Sequence, residues 1–278
     1  MPAMGLVNVQ AARVLVEERP QRIQELIDWG TEFDRSGSRL TFTREGAHSR
    51  SRILHAHGDS TGAEIGRALL SRAREVHNIA FTQLEFTADL CLGGDRVSGV
   101  LLLAPDGSRR IVSARAVLLA TGGAGQVYSD TTNPSVATGD GIAMAHGAGA
   151  AINDVEFFQF HPTALSLPGV PRFLLSEALR GEGALLLNAG HERFMPRYHP
   201  MAELAPRDVV ARAIVREVAN SELKPAVAYL DMRHLNGART RERFPRIYAT
   251  CEQYGIDIRN DLVPCSSSRS LPDGRNQD

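Results

Sequence analysis

The sequence predicts an α/β fold followed by a second domain of α+β character. An amphipathic helical repeat at residues 61–76 gives way to three strand-like segments separated by turn signals. The last of these segments, residues 114–120 (ARAVLLA), is apolar on both faces and runs into a glycine-rich stretch, as a buried strand of an α/β sheet does. From Phe157 onward the chain becomes richer in Pro, Arg and Glu, so a domain boundary is expected near residue 157.

The bulk composition excludes several functional classes. The 278 residues, 43% of them hydrophobic, suit one large or two modest domains, and the net charge of −1 comes from well-mixed acids and bases. No basic tract predicts nucleic-acid binding, and no apolar run is long enough to predict a membrane span. The first twenty residues do not have the pattern of a signal peptide. Cys91, Cys251 and Cys265 are widely spaced, which favours unpaired thiols in the cytoplasm.

The N-terminal third is expected to be helical at both ends. Residues 1–30 predict two short amphipathic helices interrupted at Pro20, and residues 31–57 are polar and loop-like. A clear helix follows, because Ile65, Leu69, Ala73 and Val76 recur at helical intervals. The preceding TGAE at residues 61–64 has the spacing of a capping box.

Strands and glycine-rich turns dominate the next eighty residues. Residues 79–86, 97–103 and 111–120 predict strands, separated by GGD at 93–95 and PDG at 105–107. A second glycine-rich segment, TGDGIAMA at 138–145, predicts the start of a helix.

The two glycine-rich segments have both a structural and a ligand-binding interpretation. Residues 121–125 (TGGAG) either make a tight exit from a strand or let a ligand approach the backbone. Asp140 either caps a helix or stands at a helix N-terminus that receives part of a cofactor. The sequence of residues 1–60 contains no Gly-x-Gly-x-x-Gly motif, so the segment either is not a nucleotide-binding sheet or lacks the first strand–helix unit of one.

The densest chemistry lies in QFHPT (159–163), SEALRGEGA (176–184) and LAPRD (204–208). Pro162 forces an extended backbone at His161, although a lone histidine is more often structural. Glu177 and Arg180 share a helical face and could form a simple ion pair, and Arg207 after Pro206 could be an ordinary helix start. Together these residues predict a polar site. His48, His55 and His57 have no acid or cysteine that completes a ligand set, so no metal site is predicted.

Several segments of the sequence, taken in order, resemble those of a known family. The chain resembles the family that holds L-aspartate oxidase and the flavoprotein subunits of succinate dehydrogenase and fumarate reductase, in order from about residue 1 to Pro264. The segments that carry the resemblance are TREGAHSRSRILHAHGDSTG, LLATGGAGQVYSDTTNPSVATGDGIAMA, FFQFHPTAL, SEALRGEGA and ELAPRDVVARA. Residues 43–56 look more like the aspartate oxidases than like the succinate dehydrogenases.

The resemblance implies an FAD enzyme of two domains. Residues 1–156 would be a partial, Rossmann-like FAD-binding domain that lacks its first βαβ unit, and residues 157–264 a partial capping domain. Residues 265–278 diverge from the family and are expected to be a disordered tail. The family's N-terminal flavin fingerprint, and a later histidine and arginine for substrate, are absent from the sequence, so this chain as written is expected neither to hold FAD tightly nor to turn over.

The resemblance also implies roles for individual residues. Arg207 matches the catalytic arginine, and Glu177 and Arg180 match its proton relay. Glu45 matches an acid that meets the substrate amino group. The other matches are substrate contacts at His161, Ser176, Gln159 and Thr163, and FAD contacts at Thr87, Thr121, Gly122, Gly123 and Asp140.

The activity implied is oxidation of L-aspartate to iminoaspartate, with electrons passing to oxygen or fumarate. The implied partners are small dicarboxylates and a quinolinate synthase that acts next towards NAD, and neither nucleic acid nor a membrane is expected. Two alternatives stay open: a fumarate reductase or succinate dehydrogenase flavoprotein subunit, and a non-catalytic truncated fragment.

Overall fold

A computed structural model of the chain describes residues 7–45, 48, 50–223 and 226–267. The chain divides into two compact units. Residues 7–79 and 160–267 form the first, which we call the discontinuous unit, and residues 80–159 form the second, the continuous unit. The expected boundary near residue 157 falls beside the break at 159/160, but residues before 80 belong with those after 159. The labels FAD-binding and capping domain stay predictions.

The described residues form seven α-helices. They are α1 (Val9–Asp28), α2 (Thr61–Glu75), α3 (Asp140–Gly147), α4 (Glu177–Gly181), α5 (Arg207–Ala219), α6 (Gly237–Arg243) and α7 (Pro245–Gln253). The prediction of two helices broken at Pro20 is wrong, since α1 runs through the proline. No residue of α1 is buried, so water can solvate the carbonyl that loses its partner there. None of the described helices has the length and apolarity needed to cross a membrane.

The described strands all pair antiparallel. They are β1 (Arg35–Ser36), β2 (Arg39–Leu40), β3 (Phe42–Thr43), β4 (Ile53–Leu54), β5 (Phe86–Gly93), β6 (Arg96–Leu103), β7 (Arg109–Ser113), β8 (Ala164–Leu165), β9 (Leu185–Leu187), β10 (Ala228–Asp231) and β11 (Val263–Ser266). The largest sheet has the order β8-β11-β10-β9, and a second has the order β5-β6-β7.

The core of the discontinuous unit lies between this four-stranded sheet and helices α4, α5 and α7. Burial of apolar side chains is the main favourable term that holds these elements together. The fully buried residues of this core include Leu179, Leu186, Ile214, Leu230, Ile247 and Val263. Cys265 and Ser266, expected in a disordered tail, instead end β11, where Cys265 is fully buried and pairs with Leu165 and Ala228. Residues 268–278 of that expected tail lie outside the described residues.

Residues 31–57 are more ordered than the predicted polar loop. They form two short ribbons, β1–β2 and β3–β4, in which Phe42 pairs with Leu54 and Thr43 with Ile53. Helix α2 is confirmed, but its capping box is not, because the N-cap is Ser60 and makes no side-chain cap. The Glu64 carboxylate accepts hydrogen bonds from the Glu32 amide and from Arg67 instead.

The continuous unit consists of the β5-β6-β7 sheet, the glycine-rich segments and α3. Both predicted turns are confirmed, with Gly94 and Gly107 in the left-handed region at φ 69° and 81°. Residues 79–85 and 114–120 are not strands, so those two predictions are wrong. A strand needs a neighbour for its backbone groups, and no described segment pairs with 115–120. Leu118, expected to be buried, is 91% exposed.

Candidate active site

Two helix starts place the central polar residues of the discontinuous unit. Ser176 is the N-cap of α4, and its hydroxyl oxygen accepts a hydrogen bond from the Ala178 amide at 3.2 Å. Glu177 and Arg180 then follow three residues apart on one face of the helix, as predicted. Arg207 is the first residue of α5, directly after Pro206, which confirms the predicted helix start.

The Glu177 carboxylate bridges two arginines. Its Oε2 accepts a hydrogen bond from Arg207 Nε at 2.6 Å, and its Oε1 lies 3.2 Å from Arg180 Nη2. Arg180 is only 2% exposed, whereas the Arg207 side chain is 40% exposed. The carboxylate therefore connects a guanidinium in the protein interior to one that reaches solvent.

Arg180 is incompletely satisfied in its buried position. Its Nη1 donates to the Glu203 carbonyl at 2.6 Å, while its Nε and Nη2 have no hydrogen bond of good geometry within the described part of the chain. Burial lowers the pKa of the Arg180 guanidinium, and the charge of Glu177 opposes this effect. An arginine whose proton is held less firmly than usual, next to a carboxylate, is a reasonable member of a proton relay.

His161 lies close enough to Glu177, Arg180 and Arg207 for their charges to act on it. Its Nδ1 lies 2.9 Å from the Thr163 carbonyl oxygen and 3.2 Å from the Thr163 amide nitrogen, which fixes the ring direction. Burial lowers the pKa of His161 to about 4, and the charges of Arg207 and Arg180 act in the same direction. His161 is therefore neutral at physiological pH, and the structure brings it together with Glu177, Arg180 and Arg207.

The cluster is rich in cationic donors. Two guanidiniums contact the one Glu177 carboxylate, and the imidazole beside them is neutral. A planar guanidinium offers paired donors that match the geometry of a carboxylate. The arrangement is suited to bind an anionic substrate at its exposed end, where Arg207 stands.

Glu45 lies against the same helix. A Cβ atom added at Gly181 would stand 2.6 Å from the Arg44 carbonyl oxygen and 3.6 Å from the Glu45 Cα atom. The absence of a side chain at position 181 therefore lets residues 44–45 pass directly over the end of α4, one residue beyond Arg180. Gly46, Ala47 and Ser49 of the same motif lie outside the described residues.

Glu203 and Arg193 support the cluster and were not predicted. The Glu203 carboxylate accepts hydrogen bonds from Arg193 Nε and Nη2 at 2.9 and 2.6 Å and from the Leu186 amide. Burial opposes ionisation of Glu203, but these bonds outweigh it and keep its pKa below the usual value. The pair is ten residues apart in an irregular segment, where no periodicity could have signalled it.

The remaining predicted substrate residues are in different surroundings. Thr163 is fully buried, and its hydroxyl donates to the Leu175 carbonyl at 2.8 Å, a bond that ties the segment before β8 to the start of α4. The Ser176 hydroxyl oxygen accepts the helix-capping hydrogen bond from the Ala178 amide, and the hydroxyl hydrogen does not take part in that bond. Gln159 belongs to the continuous unit rather than to the unit that holds the cluster.

The predicted cofactor residues meet in the continuous unit. A side chain at Gly141 would overlap Thr121, so the loop at 121–123 lies directly on the first turn of α3. Gly122 has φ +76° and no atom within 4 Å of its absent Cβ, so this backbone is open to a ligand. Asp140 accepts a hydrogen bond from the Thr138 hydroxyl, and α3 packs on β5, the strand that carries Thr87. An open loop beside a helix N-terminus can receive a hydrogen-bonding group of a ligand.

A comparison with protein families identifies the class of protein. A family model described as FAD binding domain matches residues 4–273. The chain therefore belongs to this FAD-binding family, and FAD is the family's cofactor.

Matches to individual proteins are more specific than the match to the family model. The chain is 46% identical to the L-aspartate oxidase of Synechocystis sp., over 94% of this chain and 47% of the relative. It is 45% identical to the L-aspartate oxidase of Streptomyces coelicolor, over 97% and 48%, and 43% identical to the chloroplastic L-aspartate oxidase of Arabidopsis thaliana, over 93% and 42%. The chain thus spans a little under half the length of these relatives.

Solved structures share the mixed α/β fold. One described as quinol-fumarate reductase with menaquinol molecules superposes with a TM-score of 0.82 at 32% identity, over 91% of this chain and 46% of that chain. Mycobacterium smegmatis Sdh1 in complex with UQ1 gives a TM-score of 0.70 at 33% identity, over 90% and 44%. The chain therefore has the fold of the fumarate reductase and succinate dehydrogenase flavoproteins.

Proposed function

We propose that the protein containing this chain is an FAD-dependent oxidoreductase that oxidises L-aspartate to iminoaspartate. The observation that carries the proposal is the Glu177 carboxylate bridging Arg180 and Arg207 beside a neutral His161. The L-aspartate oxidases among its relatives, at 43–46% identity, support the choice of substrate.

The cationic residues would bind the substrate carboxylates. L-Aspartate carries two carboxylates, and Arg207 is the more exposed of the two guanidiniums that contact Glu177. His161 would add a hydrogen bond as a neutral donor in the tautomer whose Nδ1 accepts from the Thr163 amide, because Nε2 then carries the hydrogen. Ser176 would contribute its hydroxyl hydrogen, and Gln159 and Thr163 stay proposed contacts through the resemblance.

Proton movement would follow the arginine–carboxylate chain. Oxidation of the amino acid removes a hydride from Cα and a proton from the ammonium nitrogen. Arginine alone is a poor acid or base, with a side-chain pKa above about 12. Glu177 in contact with both Arg207 and Arg180 gives the proton a path between the exposed and the buried guanidinium.

Glu45 would select the amino group. A carboxylate attracts an ammonium group and gives no advantage to succinate or fumarate, which lack one. Its backbone lies over the end of α4, so its side chain is attached close to the relay residues.

FAD would accept the hydride when bound. The residues proposed to hold it are the exposed loop of Thr121, Gly122 and Gly123, the helix start at Asp140, and Thr87. We also propose the cytoplasm as the location, consistent with three free cysteines, and a quinolinate synthase as the consumer of iminoaspartate.

Peroxide release tests the proposal. The protein is expressed from its complete reading frame, and L-aspartate is added in the presence of oxygen, or anaerobically with fumarate. Arg207→Lys, which loses the planar fork, should reduce kcat by at least about 100-fold. Arg212→Lys is the matched control, because Arg212 lies one turn further along α5 in an exposed pair with Asp208.

The outcomes distinguish the alternatives. Turnover of succinate without turnover of L-aspartate would favour a succinate dehydrogenase or fumarate reductase flavoprotein subunit. A purified protein without flavin absorbance and without turnover would favour a non-catalytic fragment.

A further inference from the structure

His55 is a buried polar residue that the proposed chemistry does not use. It follows β4 directly, is 9% exposed, and holds its backbone through the Asp34 amide, which donates to the His55 carbonyl at 2.7 Å. Its Nε2 atom is buried and has no hydrogen-bond partner among the residues that the structure describes. A buried ring nitrogen without a hydrogen bond destabilises the folded state, so the presence of His55 at this position needs an explanation.

A Glu45 carboxylate oxygen lies close to this nitrogen. His55 Nε2 lies 3.8 Å from Glu45 Oε1, slightly beyond hydrogen-bond distance. Glu45 lies two residues after β3 and His55 directly after β4, the two strands of one antiparallel ribbon. A shift on the order of 1 Å would bring the pair to an ordinary hydrogen bond. Hydrogen bonds of this kind are often long without substrate and shorten when it binds.

We propose that His55 is a positioning residue for Glu45: its Nε2–H donates to the Glu45 carboxylate and directs the second carboxylate oxygen at the ammonium group of an amino-dicarboxylate substrate. This inference rests on the proposed function and deepens it, because it assigns selection of amino over non-amino dicarboxylates to a pair of residues rather than to Glu45 alone.

The charge state of His55 suits this task. Burial lowers the pKa of His55 to about 4, and Arg243 acts in the same direction while Asp34 opposes it. The imidazole is thus neutral at physiological pH. A neutral donor orients Glu45 without cancelling its negative charge, whereas a protonated histidine would form an ion pair with it and weaken its attraction for a substrate ammonium.

The test compares two substrates in the protein expressed from its complete reading frame. His55→Phe keeps the ring and removes the donor, and His55→Gln keeps a donor near the position of Nε2. We expect His55→Phe to lower kcat/KM for L-aspartate by about 10-fold to 100-fold, the usual effect of losing a hydrogen bond to a charged group. Fumarate reduction should change by less than about 2-fold, and His55→Gln should restore most of the L-aspartate activity.

A matched control lies two residues away. His57 belongs to the same segment, its side chain is 62% exposed, and it lies 3.4 Å from Glu64 rather than near Glu45. His57→Asn tolerates the positive φ of 48° at this position and should leave the ratio of the two activities unchanged. If His55→Phe does not fold, His55→Met, a flexible apolar replacement, takes its place.

A double mutant adds a readout that a purely structural role would not move. In Glu45→Gln, the His55→Phe change should have no further effect on selectivity for L-aspartate. Equal loss with both substrates, no loss with either, or an undiminished effect in the Glu45→Gln background would overturn the inference while the proposed function stands. A wild-type protein that does not oxidise L-aspartate would overturn both.

Discussion

Replacement of Gly181 by alanine tests the contact that joins the Glu45 segment to α4. An added methyl group would stand 2.6 Å from the Arg44 carbonyl oxygen, closer than a carbon and an oxygen atom approach without repulsion. The obstructing atom belongs to the backbone, so it can move away only if residues 44–45 shift. We therefore expect Gly181→Ala both to destabilise the protein and to displace Glu45.

Two opposing effects set the magnitude. Alanine favours a helix over glycine by up to about 1 kcal/mol. Overpacking against a fixed neighbour costs about 1–3 kcal/mol. The expected net effect is a destabilisation of about 1–2 kcal/mol, together with a fall in kcat/KM for L-aspartate.

Gly66→Ala in α2 isolates the helix effect. Gly66 is an exposed helical residue with no atom within 4 Å of its absent Cβ, so the same substitution there should stabilise by up to about 1 kcal/mol. Urea unfolding of the wild type and both variants shows whether each substitution raises or lowers the free energy of unfolding, provided that this free energy depends equally on urea concentration in all three proteins. Stabilisation by Gly181→Ala as well would refute the reasoning, because it would mean that the segment at 44–45 does not press on α4.

Three further predictions concern buried groups. Glu177→Gln leaves the buried Arg180 without its carboxylate and should lower the free energy of unfolding by about 3 kcal/mol, measured in urea. This value is at the lower end for broken buried ion pairs because Arg207 is partly solvated. An unchanged urea midpoint would contradict the prediction. Arg67 and the Glu32 amide lower the pKa of Glu64 to about 2, so its stabilisation is complete above its ordinary pKa near 4.5 and is lost as pH falls towards 2. Glu64→Gln should flatten the dependence of stability on pH in that window, and a slope equal to that of the wild type would argue against the assignment. Burial raises the pKa of both Cys251 and Cys265 to about 12, so peptide mapping after iodoacetamide at pH 8 should find the partly exposed Cys91 alkylated and these two protected.

Local signals predicted much of what places the site. The helical intervals after residue 61, the spacing of Glu177 and Arg180, and Pro206 before Arg207 each gave the correct local structure. These features depend on contacts three or four residues apart, which the sequence displays directly.

Features that depend on distant partners were predicted less well. The apolar residues 114–120 suggested a buried strand, but strand formation requires a neighbouring strand, and periodicity cannot show whether one is present. The approach of Glu45 to Gly181 and to His55 could not be predicted either, because Gly181 looks like an ordinary helix end until its neighbour across the fold is known.

The division of the chain has a consequence for biosynthesis. The unit that holds the polar cluster is built from residues on both sides of the continuous unit, so its two halves leave the ribosome at different times. The β5-β6-β7 sheet within residues 80–159 is built from strands close in sequence and can form as soon as they emerge, whereas residues 44–45 meet Gly181 only after α4 has been translated. A nascent chain stalled before residue 177 would therefore contain a folded insert while the N-terminal segment still lacked the surface on which it packs.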